Sequence, residues 1–252
     1  MSISQKIEKE IFEMSCGQIF SYSELAEYRK SPQAVKKIVS RLVTENKLTK
    51  FQKGKFYRAK KNVLGFDLKP SDSELIRREL YENRKLKGYI TGMTLYNRLG
   101  LTTQVPRTVK IATNNSYSRP TNHGTISIRK VKVSAPILES NVKLLQYLDV
   151  LKDIKKILGS DINDSIFIMS RIINDLNKSN ATKLAKLATK YYGPQVRSLL
   201  GLIFENTGSK DIESSLYENL ARKLKKTLNP VTRYKLNINS KIWANAKNWS
   251  IH

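Results

Sequence analysis

Residues 32–46 constrain the fold more than any other stretch of the chain. Val35, Ile38, Val39, Leu42 and Val43 fall on one face of a helix starting at Pro32, and Gln33, Lys36, Lys37, Ser40 and Arg41 fall on the other. Ser31 directly before Pro32 places a capping residue ahead of a proline at the first helical position, a start signal for a helix. Two short aromatic-rich runs follow, 48–51 and 56–58, around Gln52-Lys53-Gly54-Lys55. That pattern reads as a hairpin turned at a glycine. A helix with one fully apolar face, followed at once by a hairpin, requires neighbours that cover that face.

The preceding residues supply them. Ile3, Ile7, Ile11 and Met14 recur at helical spacing and predict an amphipathic first helix, ended by Gly17. Gln18-Ile19-Phe20 reads as a short extended segment. Ser23 can cap a second short helix over 24–28, with Leu25 and Ala26 inward. Helix, helix, helix, hairpin is the order of a winged helix-turn-helix, expected over residues 1–62. In such a domain the third helix enters the major groove, where base edges carry a distinct donor and acceptor pattern. Gln33, Ser40 and Arg41 are the candidate base readers, and Lys36, Lys37, Lys53 and Lys55 the candidate phosphate contacts. Ser31 and Arg58 complete the candidate DNA-binding set. The competing reading is a solvated basic face, or a winged helix that binds protein.

The charge favours a polyanion. The 252 residues carry 46 Lys+Arg against 21 Asp+Glu, a net +25. Residues 1–62 have 14 basic and 6 acidic, 63–136 have 13 and 5, and 137–252 have 19 and 10. The whole body is basic, rather than a tail, so salt-dependent binding of nucleic acid is expected.

Other chemistries find little support. Cys16 is the single cysteine, which excludes an intrachain disulfide and a cysteine-based zinc site. His123 and His252 are the only imidazoles, so neither a metal centre nor a Ser-His-Asp set is expected. No phosphate-binding glycine loop ending in Lys-Ser/Thr is present. Gly159-Ser160-Asp161 with Asp164 resembles the Gly-Ser and paired acids of nucleotidyltransferases. Here the acids are three apart and directly follow the Gly-Ser, so Asp161 or Asn163 is expected to cap the next helix instead. No enzyme activity and no cofactor are expected. Residues 1–14 lack the apolar core of a signal peptide, and the apolar run 199–204 is broken by Gly201 and too short to span a bilayer. A cytoplasmic protein is expected.

Beyond residue 62 the fold class is α+β with a helical end. Residues 63–70 read as a linker punctuated by Gly65 and Pro70. Ser71 and Glu74 have capping-box spacing and start a helix reaching about residue 83. A short helix over 93–99, a loop over 100–106 and alternating strands over 108–113 and 125–133 predict a small α+β middle unit with an antiparallel hairpin, spanning 63–136. Residues 117–124, with Arg119, Asn122 and His123, read as the hairpin tip, within reach of phosphate. From about Ser140 five helical periods, the last through Ile212, Leu216, Leu220, Leu224 and Leu228, predict a helical bundle over 137–252. Lys223, Lys225, Lys226, Arg233 and Lys235 form a basic cluster there. Trp243 and Trp249 are expected to anchor the tail on the bundle.

One run carries a resemblance. Tyr89-Ile90-Thr91-Gly92, then Leu95 and Leu99-Gly100-Leu101-Thr102-Thr103-Gln104-Val105-Pro106, then Val109-Lys110-Ile111-Ala112-Thr113, resembles the central signature of AbiEi-family antitoxins of type IV toxin–antitoxin (abortive infection) systems. Gly17-Gln18-Ile19-Phe20, Ser40-Arg41-Leu42 and Gly54-Lys55-Phe56-Tyr57-Arg58 are similar to that family's winged-helix part. Tyr192-Gly193-Pro194, Leu199-Leu200-Gly201 and Leu228-Asn229-Pro230 match more loosely. Many relatives carry a small residue and a His where this chain has Tyr96-Asn97-Arg98, which marks a divergent branch. The resemblance implies binding to repeats in the protein's own promoter on double-stranded DNA, repression of the operon, and counteraction of a nucleotidyltransferase-like toxin through the C-terminal part. Neutralisation in that family is not thought to need a stable complex. The alternative is a general nucleic-acid-binding protein or scaffold without a toxin partner.

Overall fold

The computed structural model describes residues 1–83, 85–115, 119–123, 125–208 and 214–252, and the fold is mixed α+β with several small sheets and a helical C-terminal part. The chain divides into two compact units, Met1–Lys87 and Gly88–His252. This division differs from the three-part expectation of 1–62, 63–136 and 137–252.

In the first unit, α1 spans Ile3–Glu13. Ser2 and Gln5 form a reciprocal capping box at its start, and Ile7 and Ile11 are fully buried. Strand β1 is Phe20–Ser21. The expected second helix is instead two 3-10 turns, Tyr22–Glu24 and Ala26–Arg29. Leu25 between them is extended, at φ −78° and ψ 131°, and its side chain is 1% exposed. Driving Leu25 into the core breaks the helix, and the Glu10 carboxylate accepts the Ala26 amide at 3.0 Å as a substitute cap.

Helix α2 spans Pro32–Thr44, then β2 (Thr49–Gln52) and β3 (Lys55–Tyr57) form a hairpin. β1 joins it antiparallel to β3, giving the order β1-β3-β2. Ile7, Ile11, Phe20, Leu25, Val35, Ile38, Val39, Leu42, Leu48 and Phe56 make one apolar cluster between the helices and the sheet. The expected linker folds as a second small hairpin, β4 (Lys60–Lys61) with β5 (Asp67–Leu68). The Asn62 side chain organises its turn by accepting the amides of Leu64 and Phe66 at 3.0 and 2.9 Å.

Helix α3 spans Asp72–Leu80, shorter than expected, and its start is half a capping box. The Ser71 hydroxyl accepts the Glu74 amide, but the Glu74 carboxylate reaches away to accept the Ile19 amide at 2.7 Å. Arg78 pairs with Glu24 between these same segments, both side chains largely buried. These two bonds tie α3 to residues 1–62, so the first unit extends past the expected boundary. The β-hairpin of β6 (Tyr81–Glu82) and β7 (Lys85–Leu86) closes the unit.

The second unit begins with β8 (Gly88–Thr91), α4 (Met93–Arg98) and β9 (Thr108–Thr113), followed by β10 (Thr121–Asn122) and β11 (Ser127–Lys132). The sheet order is β10-β11-β9-β8. The two longer strands were expected as an antiparallel hairpin. They run parallel, with Ile128 opposite Val109 and Lys130 opposite Ile111. Parallel neighbours cannot be joined by a tight turn, and residues 114–126 separate the two strands. Antiparallel pairing is made by β8 with β9 and by the two-residue β10 with the start of β11. Tyr117 and Gly124, the ends of the expected hairpin tip, lie outside the described residues.

Among the described residues five α-helices follow: α5 (Val142–Asp153), α6 (Ile162–Asn174), α7 (Lys178–Tyr191), α8 (Pro194–Gly208) and α9 (Ser214–Lys225). Ile212 of the expected last repeat lies outside the described residues. α8 is the central helix: it packs on α5, α6, α7 and α9, and Leu199, Leu200, Leu202, Ile203 and Phe204 are fully buried. Such an all-round apolar helix is stable only when surrounded. Trp249 seats the tail on it, as expected: its indole N–H donates to Glu205 at 2.6 Å, and Ser198 donates to its carbonyl. Trp243 is also buried. Among the described residues no helix is long and apolar enough to cross a membrane.

Candidate nucleic-acid interface

Helix α2 separates its faces as its spacing demands. Val35, Val39 and Leu42 are fully buried and Ile38 is 9% exposed, while Gln33, Lys36, Lys37, Ser40 and Arg41 are exposed. At 100° per residue Gln33, Lys37 and Ser40 share the centre of the outer face, with Lys36 on one flank and Arg41 on the other. Ser31 sits at the N-cap with Pro32 first in the helix, but its hydroxyl makes no capping bond.

The hairpin presents Lys53 at its turn, exposed, beside Gly54 at φ +73°. A residue with a side chain strains at that φ, so glycine lets the two strands turn this tightly. Lys55 is half-buried in β3 opposite Ser21.

Two candidates are engaged elsewhere. Arg41 pairs with Glu8 of α1, also touches Ser4 Oγ at 3.3 Å, and lies 3.6 Å from Glu45 one turn on. Arg58 points to the end of α1, donating to the Phe12 carbonyl at 2.6 Å and to Cys16 Sγ at 3.2 Å, with its guanidinium 5.6 Å from the Phe12 ring centroid. Arg58 thus staples α1 to β3. Lys36, Lys37, Lys53, Gln33 and Ser40 form the exposed set.

The charge follows these elements. Residues 30–61 carry eleven Lys+Arg and a single acid, Glu45; residues 1–29 carry three and five, and residues 62–87 six and five. The net positive charge of the first unit therefore lies on α2 and the strands after it. A regional sum over residues 1–62 conceals that concentration, although the residue positions carry it.

In the second unit the loop after α4 is structural. Gly100, at φ +73°, ends α4, and the Leu101 amide reaches back to the Tyr96 carbonyl at 2.9 Å. Thr102 donates to the Leu158 carbonyl at 2.6 Å and accepts the Gln104 amide at 3.1 Å. Two residues of the Tyr96-Asn97-Arg98 run have places here. The Tyr96 hydroxyl donates to Asp153 at 3.0 Å, and the Asn97 amide donates to the Thr102 carbonyl at 3.1 Å. Asp161 caps α6, accepting the amides of Asn163 and Asp164 at 2.7 and 3.3 Å. Those amide bonds hold its carboxyl below the usual range. In the C-terminal basic cluster, Lys225 lies 5.7 Å from the Trp249 ring centroid and Arg233 donates to the Pro230 carbonyl at 2.7 Å.

Sequence reasoning missed the buried carboxylate of the second unit. Asp149 is 5% exposed and accepts the hydroxyls of Tyr89, Thr91 and Tyr192 at 3.0, 2.8 and 2.9 Å. Burial pushes its carboxyl pKa up, against the pull of those hydroxyls and of Lys152. Its signal was an acid within the apolar run Leu148-Asp149-Val150-Leu151.

Comparison with curated proteins finds no match. A family model does match, over residues 6–184, and by it the chain belongs to DUF6088, a family of unknown function.

Proposed function

We propose that the first unit is a winged helix-turn-helix that binds double-stranded DNA, with α2 as the recognition helix and the β2–β3 turn as the wing. The observation that carries this reading is the outer face of α2. Gln33, Lys36, Lys37 and Ser40 stand exposed opposite a sealed apolar face, in a segment with eleven basic residues and one acid. The sheet order β1-β3-β2 and the hairpin directly after α2 support it. Lysines would neutralise phosphates, while Gln33 and Ser40 would offer hydrogen bonds to base edges.

The fuller role rests on the AbiEi resemblance: repression from repeats in the protein's own promoter, and counteraction of a nucleotidyltransferase-like toxin. We propose it as the biological setting of the DNA-binding unit, in the cytoplasm and without catalysis by this chain. A second reading, general nucleic-acid binding, is favoured by the pairing of Arg41 with Glu8, which occupies one of three candidate base readers.

The deciding experiment titrates the full chain with a duplex from upstream of its own coding sequence and with a scrambled duplex, in moderate salt. Preference for the upstream duplex, reduced by Gln33→Ala, supports the specific repressor. Equal binding to both supports the general reading. Binding to neither, or binding unchanged by joint Lys36→Ala and Lys37→Ala substitution, overturns the interface.

A further inference from the structure

The second unit holds a cavity of about 400 Å³, within the range of small-ligand sites. Its lining includes Lys132 at the end of β11, Lys152 near the end of α5, Tyr191, Tyr192, Gln195 and Tyr234. Asp149 also borders it. We propose that this cavity binds a small organic phosphate of mononucleotide size.

Three features select that chemistry. First, Lys132 and Lys152 are exposed, and neither has an ion-pair partner among the described residues. Two ammonium groups beside one cavity favour an anion.

Second, the cavity is bordered by the first turn of α8, a fifteen-residue helix. Pro194 has no N–H, and the Gln195 amide has no acceptor within the helix, so the turn offers a donor and the positive end of the helix dipole. The Asp149 network fixes this turn. The Tyr192 hydroxyl is held by Asp149 at 2.9 Å, and Tyr192 immediately precedes Gly193 and Pro194. Asp149 is committed to three hydroxyl donors and forms no ion pair with Lys152 among the described residues. Lys152 acts on that carboxyl electrostatically without pairing to it, and its side chain stays exposed.

Third, Tyr191, Tyr192 and Tyr234 supply ring surface for an organic body rather than a bare ion. The tail holds Tyr234 in place: its amide donates to the Ser250 carbonyl at 2.7 Å, and its carbonyl accepts the His252 amide at 2.9 Å.

The site is distinct from the DNA face, and one calorimetric series separates them. The full chain is titrated with adenosine and uridine 5′-monophosphates, with the matching nucleosides and with inorganic phosphate. The expected result is saturable one-to-one binding of at least one monophosphate, with its nucleoside about tenfold weaker or worse, as follows from losing charge-assisted hydrogen bonds. Joint Lys132→Ala and Lys152→Ala substitution should weaken that monophosphate by about tenfold or more, with an unchanged melting curve. Joint Lys36→Ala and Lys37→Ala substitution should leave it unchanged while weakening DNA. No saturable binding overturns the proposal, as does a nucleoside that binds as well as its monophosphate. Loss that follows Lys36 and Lys37 instead assigns the ligand to the DNA face and also overturns it.

Discussion

Arg41 of α2 is held by Glu8 of α1, and Ser4 bonds to both partners. The arginine side chain is 49% exposed and the glutamate 31%, so the pair is accessible to solvent and worth at most about 1 kcal/mol. It nevertheless bears on the proposed DNA face, because Glu8 cancels a cation at the flank of that face. Glu8→Gln removes the anion and frees Arg41. The expected outcome is tighter binding of duplex DNA by fluorescence anisotropy, with a melting temperature changed little. Unchanged affinity would place Arg41 outside the interface.

Phosphate contacts can be counted from salt dependence. Each neutralised phosphate contributes a slope of about −0.9 to the logarithm of affinity against the logarithm of salt concentration. Lys36→Ala, Lys37→Ala and Lys53→Ala should each make the slope shallower by about that amount. Lys186→Ala, an exposed lysine on α7 in the other unit, should leave it unchanged. An equal slope for Lys53→Ala and the parent would remove the β2–β3 turn from the interface.

Periodicity made α1 and α2 legible because one side of each helix faces a single core. It also located the β2–β3 hairpin, whose glycine is required by the turn. Periodicity failed at Leu25, where burial of one side chain outweighs continuation of a helix. It also could not distinguish parallel from antiparallel pairing of β9 and β11, since an alternating strand looks the same in either arrangement. At the site, the exposed face of α2 was legible, but the partners of Arg41 and Arg58 were not. Those depend on α1 lying beside α2 and β3, a tertiary fact that local spacing does not encode. Asp149 was hidden because an acid in an apolar helix becomes meaningful only with the hydroxyls that β8 and the α7–α8 turn bring to it.

Asp149 sets a pH dependence for the second unit. Its carboxyl has a pKa raised above the ordinary 3.8, chiefly by burial. A folded-state pKa above the unfolded one means that the folded chain binds the proton more tightly. The stabilisation is complete below the unfolded value and is lost as pH rises through the folded value. Thermal melts should therefore show this contribution declining from about pH 3.8 upward. Asp149→Asn should flatten that decline, since the amide does not titrate. The substitution also replaces an acceptor oxygen facing the hydroxyls of Tyr89, Thr91 and Tyr192, so its melting temperature should be lower at acidic pH. A parent-like decline in the variant would assign the titration to another group.

Among the described glycines of the second unit, Gly201 leaves the least room for a side chain, because Trp249 lies against it. A Cβ on residue 201 would lie 2.0 Å from the Trp249 ring, far inside contact distance. The glycine within the apolar helix α8 is therefore the seat for the indole, although it weakens the helix itself by roughly 1 kcal/mol relative to alanine. Gly201→Ala should not gain that helix propensity. It should displace Trp249, break the indole bond to Glu205, and destabilise the unit by about 1–3 kcal/mol, typical of overpacking. Trp249→Ala should cost about 3–5 kcal/mol through the cavity it leaves. The two losses should not add: with the indole absent, Gly201→Ala meets open space and regains the propensity benefit. Denaturant melts of both single variants and the double variant measure this coupling directly. Additive losses would mean that Gly201 is required by something other than Trp249.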